Sequence, residues 1–176
     1  KCSTITSARE RIRCRINLKE ENELNYLPEE CRALNGSARG NCVSNYNLVQ
    51  KCWEFARDEQ RIGCAKKAFG LNGTVASQKA ICEGLTGTER SKCILQLRDK
   101  VDTVVKFRLY NLEEKAEGLK GRGVSEELVV DFVSHIEQKK QEYNQATTAE
   151  QKKSIVRDVK ELWQSFITKA KAQVKA

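Results

Sequence analysis

The sequence predicts an all-α fold, with tandem disulfide-stapled helix-turn-helix units followed by long antiparallel amphipathic helices. Three observations lead there. All eight cysteines fall within the first 93 of the 176 residues. Their spacing repeats. From Thr88 onward apolar residues recur at helical intervals, and no strand-like alternation competes anywhere. Hydrophobic residues make up 39% of the chain and aromatic residues only 6%, so the core is lean and covalent staples are expected to supplement it. Charge is mixed, 32 Lys+Arg against 24 Asp+Glu, and the periodicity is clear, which excludes a disordered chain. No apolar run approaches the ~20 residues that a membrane-spanning helix needs.

The cysteines stand at Cys2, Cys14, Cys31, Cys42, Cys52, Cys64, Cys82 and Cys93. Moving the first four along by 50, 50, 51 and 51 residues gives the second four. Residues 1–50 and 51–100 are therefore a tandem duplication with one residue inserted. Other side chains agree: Lys1-Cys2 matches Lys51-Cys52, Arg11-Ile12 matches Arg61-Ile62, and Leu34, Gly36 and Arg39 match Leu85, Gly87 and Arg90. A shorter repeat lies beneath, Arg-x-x-Cys, at Arg11, Arg39, Arg61 and Arg90.

Neighbouring cysteines lie 11 or 12 residues apart within each unit. One straight helix of that length separates its ends by ~16–18 Å, whereas bridged Cα atoms lie ~4.4–6.8 Å apart. A bridge at this spacing requires a turn. Gly36-Ser37 and Gly87-Thr88 supply a helix stop followed by an N-cap inside two of the intervals. Ser7-x-x-Glu10 and Thr86-x-x-Glu89 match the capping box. These features predict local bridges Cys2–Cys14, Cys31–Cys42, Cys52–Cys64 and Cys82–Cys93. The third rests on Asp58 as its cap, and pairing between units stays open at this level.

An even number of regularly spaced cysteines on a lean core reads as a framework formed in an oxidising compartment. The chain has no Met and begins Lys1-Cys2, which predicts that a secretory signal peptide was removed. Asn35-Gly36-Ser37 and Asn72-Gly73-Thr74 are N-glycosylation triplets, so Asn35 and Asn72 are expected on surface loops of a glycoprotein. A secreted, extracellular or cell-surface location follows.

The pattern after the cysteines divides into three helices. Ile94, Leu97, Val101, Val104, Val105, Leu112, Ala116 and Leu119 keep helical spacing until Gly121-Arg122-Gly123 ends the run. Ser125-Glu126-Glu127 caps the next helix with acid in its first turn, and Leu128, Val129, Phe132, Val133, Ile136 and Tyr143 form its stripe. Thr148-Ala149-Glu150-Gln151 is a capping box for a last helix with Ile155, Val159, Leu162, Trp163, Phe166, Ile167, Ala170 and Val174 on one side. Short connections favour antiparallel neighbours, hence a three-helix bundle or hairpin. The chain is accordingly divided into a duplicated cysteine-rich region, 1–98, whose last helix runs on, and a helical tail, 99–176.

In the runs Asn111-Leu-Glu-Glu-Lys-Ala-Glu and Glu142-Tyr-Asn-Gln-Ala-Thr-Thr, and across residues 104–170, this tail resembles uncharacterised secreted Cys-rich helical proteins of archaea. The resemblance implies secretion and brings no activity with it.

Residues for common chemistries are sparse. His135 is the sole histidine, with Asp131 one turn before it, and it reads as a surface side chain rather than a base or ligand. The short cysteine spacings of zinc sites, haem attachment and thiol redox pairs do not occur. The adjacent acids Glu20-Glu21, Glu29-Glu30 and Glu126-Glu127 read as solvated faces or caps. No catalytic residue, metal or cofactor is expected, and the protein is read as non-enzymatic.

Charge is the remaining lead. Residues 1–100 carry 18 basic and 12 acidic side chains, and residues 101–176 carry 14 and 12. The densest basic cluster is Arg9, Arg11, Arg13 and Arg15, followed by Lys66-Lys67. Together with Arg39, Arg61 and Arg90 these four arginines are the candidate anion contacts. Two arguments oppose that role. Alternate residues of a helix point in different directions and make no stripe. The Arg of Arg-x-x-Cys suits covering its bridge and pairing with a nearby carboxylate or carbonyl. Interleaved aromatics are too few for specific nucleic-acid binding.

Two functions fit. The first is a secreted structural protein that self-assembles into a filament, surface layer or matrix, hardened by disulfides. Trp53, Phe55, Phe69, Trp163 and Phe166 are its contact candidates, each also suited to a core. The alternative is a monomeric secreted binding module that recognises an anionic cell surface, an acidic surface polymer such as polysaccharide, or a protein receptor through the basic N-terminal half.

Overall fold

The computed structural model describes residues 2–17 and 27–175, and Lys1, Glu20 and Glu21 lie outside them. Every regular element among the described residues is helical. A 3-10 turn at Cys2–Thr4 leads to α1 (Ala8–Asn17), α2 (Glu29–Arg32), α3 (Gly36–Cys52) and α4 (Asp58–Ala68). Then come α5 (Val75–Glu83), α6 (Gly87–Lys120), α7 (Glu126–Gln145) and α8 (Ala149–Lys175). The all-α fold is thus as the sequence predicts. No helix among the described residues is long and apolar enough to cross a membrane.

The bridges are the four local ones, with Cα–Cα distances of 5.3–5.7 Å. Their construction is uniform. The second cysteine is the seventh residue of α1, α3, α4 or α6, and the first lies in the element just before. In the chain-entropy description a loop of this size stabilises the fold by about 3 kcal/mol when closed. Gly36 and Gly87, equivalent in the duplication, open α3 and α6 with φ of +55° and +57°. A β-carbon is strained in that conformation, which explains why glycine stands at both. The sequence suggests a helix stop at these positions. The structure makes them first helical residues instead, with Asn35 in the cap position of α3.

Other caps are mostly side-chain oxygens on the first free amides. Ser7 Oγ accepts from the Glu10 amide at 3.4 Å and Ser125 Oγ from the Leu128 amide at 3.3 Å. Thr148 and Gln151 form the reciprocal box, at 3.2 and 3.1 Å. Asp58 is the first residue of α4, and Arg57 holds its cap position. Thr74 and Ser77 form a box that the sequence pattern does not announce, because Ser stands where Glu or Gln is usual.

The chain groups into two compact units, residues 27–108 and residues 1–26 with 109–176, so that α6 contributes to both. The helix α1 packs against α7 and belongs to the unit of the C-terminal helices. In the cysteine-rich unit Phe107 is fully buried, with Tyr46 and Phe69 meeting its ring edge-on at 5.3 and 6.1 Å. Val49, Trp53, Ala65, Leu71 and Leu97 complete this core. In the helical unit Val129, Val130, Phe132, Val133 and Ile136 of α7 are buried, as are Ile155, Val159, Phe166 and Ala170 of α8. Phe132 stacks on Phe166 at 4.5 Å. Ile12 and Ile16 of α1 are buried in the same unit. Val174, read as part of the α8 stripe, is exposed in the last turn.

Phe107→Ala removes the ring on which two others rest and is expected to cost about 3–5 kcal/mol. Urea unfolding of the oxidised protein measures this as a lowered midpoint with an unchanged slope.

Candidate functional site

The arginines of α1 divide among different partners. Arg9 and Arg13 lie one turn apart and both reach the first turn of α7. Arg9 pairs with Glu127 at 2.7 Å and Asp131 at 3.2 Å. Arg13 bonds to Glu127 and stands 3.6 Å from Glu126, which also pairs with Lys120 at 2.8 Å. These acids sit at the positive end of the α7 dipole. Hydrogen bonds from Arg9 and Arg13 hold Glu127 below the usual carboxylate range, and a bond from Lys120 does the same for Glu126. Exposed pairs of this kind are screened by solvent. Burial of Ile12 and Ile16, worth about 1.5–3 kcal/mol apiece, is what holds α1 in place.

Arg15 and Arg11 turn elsewhere. Arg15 pairs with Glu117 of α6 and Glu137 of α7, each at 2.9 Å. Burial opposes the charge of Arg15, but Glu117, Glu113 and Glu137 outweigh it and raise the pKa. Arg11 donates to the carbonyls of Ile5 and Thr6, at 2.7 and 2.9 Å. No arginine stripe forms.

Arg11 introduces the role of the repeated motif. In each unit the Arg of Arg-x-x-Cys is the fourth residue of its helix, and in three of the four its fork folds back over the preceding turn. Arg39 donates to Leu34 O at 2.6 Å, Arg32 O at 3.3 Å and Asn35 Oδ1 at 3.1 Å. Arg61 donates to Phe55 O and pairs with Asp58 at 3.4 Å. These carbonyls lie just past the end of one helix, where acceptors lack helical partners, and a guanidinium supplies several donors at once. Arg90 is exposed, and no such bond to Leu85, the match of Leu34, forms among the described residues. Lys66 and Lys67 lie in the last turn of α4, where a cation complements the helix dipole.

Two charged sites escaped the sequence reading. Arg108 lies over the Trp53 ring at 5.4 Å. Burial, followed by repulsion from Arg61, pulls its pKa down to about 10 against the pull of Asp58 and Glu54. In the helical unit Asn111, Glu113 and Glu117 are buried. Lys140 Nζ donates to Glu113 Oε2 at 2.7 Å and lies 5.9 Å from the Tyr110 ring centroid. Burial pushes Glu113 up to about 7, outweighing Lys140 and Arg15. A signal was present, since Glu113 and Glu117 share helical spacing with the buried Leu109, Leu112 and Ala116.

His135 is exposed, with Nδ1 2.8 Å from the Asp131 carbonyl. Among the described residues no group of three or more His, Cys, Asp or Glu side chains is placed to hold a metal ion. Asn35 and Asn72 are both exposed, and the Thr74 hydroxyl of the second triplet is engaged in the cap of α5. Large apolar side chains on the surface concentrate in the cysteine-rich unit: Leu34, Leu48, Phe55, Ile62, Val75, Ile81, Leu85 and Leu95, against Val156 and Val174 in the other. Of the aromatic contact candidates only Phe55 is exposed. Trp53 and Phe166 are buried, and Phe69 and Trp163 are half-buried.

Arg15→Ala strands two largely buried carboxylates and is expected to cost about 3 kcal/mol. Arg61→Ala, which frees one carbonyl, should cost about 1–2 kcal/mol and Arg90→Ala close to nothing; urea unfolding ranks the three. Glu126 and Glu127 have lowered folded pKa values, so their contribution is present above the ordinary carboxylate range and lost as pH falls through those values. Hydrogen-exchange protection of the α1 amides should therefore fall as the pH is lowered past the ordinary carboxylate range.

No protein-family model matches the chain, and neither the curated proteins nor the solved structures gave a significant match to it.

Proposed function

We propose that this chain is a secreted structural protein of the cell exterior that associates with copies of itself through its cysteine-rich unit, acting by contact and not by catalysis. The observation that carries the reading is the concentration of exposed apolar side chains on that unit. Ile81 is 62% exposed, Leu48 and Ile62 54%, and Leu95 53%. Contiguous exposed apolar surface marks a contact region, and this unit supplies eight of the ten large exposed apolar side chains among the described residues. The bridges support the extracellular setting, since structural disulfides persist where thiols are not kept reduced. They also let a unit with a lean core fold while leaving leucine and isoleucine outside.

Recognition of an anionic surface through the basic N-terminal half has less support. Arg9, Arg13 and Arg15 are engaged by acids of the same unit, and Arg11, Arg39 and Arg61 by backbone carbonyls. That leaves Arg90 as the one candidate anion contact without such a partner among the described residues.

The test is light scattering and negative-stain microscopy of the unreduced protein at about 50 and about 200 mM salt, a range over which polyanion binding collapses. Oligomers or regular assemblies that persist at the higher salt are expected, and Ile81→Glu combined with Leu95→Glu should disperse them. A dispersed monomer under all conditions, with salt-sensitive binding to an acidic polysaccharide, would replace this reading with the binding module.

A further inference from the structure

Among the described residues the cluster around Glu113 holds three carboxylates, Glu113, Glu117 and Glu137, against two cations, Arg15 and Lys140. Around Glu113 stand Arg15 of α1, Glu117 and Tyr110 of α6, and Glu137 and Lys140 of α7. Asp158 of α8 is engaged one position away, with Lys139 at 3.1 Å. Arg15 commits its two terminal nitrogens to Glu117 and Glu137, while Lys140 bonds Glu113 through Oε2. The other oxygen of Glu113, Oε1, is buried with no hydrogen-bond partner among the described residues. An ionised oxygen left this way in an interior is costly. A proton on Oε1 removes the excess charge and leaves the Lys140 bond in place.

We infer that the helical unit carries a pH-sensitive lock at Glu113, its fold closed while Glu113 holds a proton and loosened once that proton leaves. The upward displacement of Glu113 to about 7 by burial has the matching direction. In the unfolded chain the same carboxyl ionises near 4.5. Between these values the folded chain binds one proton more than the unfolded chain, so stability falls as pH rises, and the loss is complete above the folded value. Glu126 and Glu127 act in the opposite sense, losing their contribution on acidification. The two sets place the optimum of this unit on the acid side of neutrality.

The test compares the oxidised full chain with Glu113→Gln, which keeps the shape of the side chain without the titration. Relative to the variant, the wild-type unfolding constant should rise close to tenfold per pH unit between about 5 and about 7 and level off above. Groups common to both proteins cancel in this ratio. Equal slopes overturn the inference. If Glu113→Gln does not fold, carbon NMR of the wild-type carboxyl decides. Ionisation near neutrality together with falling protection factors in α6 around Glu113 supports the lock, and a carboxylate already ionised at about pH 5 overturns it.

Discussion

A disulfide that closes over eleven or twelve residues forces its chain to double back, since a straight helix of that length would hold the two sulfurs far apart. Four such bridges set the local architecture of the cysteine-bearing half of the sequence. Each places the seventh residue of a helix against the element before it, and the remaining features of the unit serve that turn. Glycine opens two of the helices in a left-handed conformation. Arginine, one turn before the second cysteine, closes three of the turns with hydrogen bonds to carbonyls. Because covalent closure limits the unfolded ensemble, the cysteine-rich unit needs only a small core around Phe107 and tolerates apolar side chains on its surface.

The basic composition has a different meaning once the side chains are placed. An excess of Lys and Arg, with four arginines in seven residues of α1, suggests a surface for polyanions. Folding distributes those arginines among α6, α7 and the backbone of their own turn. The acids they meet at the start of α7 are favoured there by the helix dipole as well. Arg15 goes further and helps carry a buried cluster of glutamates into a lean interior. Positive charge here mainly fixes the position of one helix, while apolar burial of Ile12 and Ile16 supplies most of its adhesion.

How much of this the sequence discloses depends on distance along the chain. The local bridge partners were legible because the spacing requires a turn and two of the intervals carry a glycine for it, although pairing between units stayed open. Ser125 and the Thr148–Gln151 box were legible because caps involve neighbours three residues apart. The grouping of α1 with the C-terminal helices was not, since Arg15 meets Glu117 and Glu137 across 102 and 122 residues, and no local pattern encodes that meeting. Glu113 escaped for another reason. Helical periodicity identifies a face, but an acid on that face is ordinarily assigned to its rim, and only the packed neighbours show that this one is enclosed. The two glycines at the heads of α3 and α6 illustrate a subtler limit: glycine signalled an unusual backbone, yet the same left-handed conformation that often ends a helix here begins one.

The order of the bridges along the chain bears on biosynthesis. The pairs are neither nested nor interleaved: each cysteine finds its partner before the first cysteine of the next pair has been made. Oxidation can keep step with the ribosome, and a thiol that reacts with its next neighbour in sequence has already made the native bond. Such an ordering would spare the chain a slow phase of disulfide reshuffling. If oxidation follows synthesis, the N-terminal helix is the first to be stapled, yet its acidic partners in α7 come more than a hundred residues later, so its docking would be a late event.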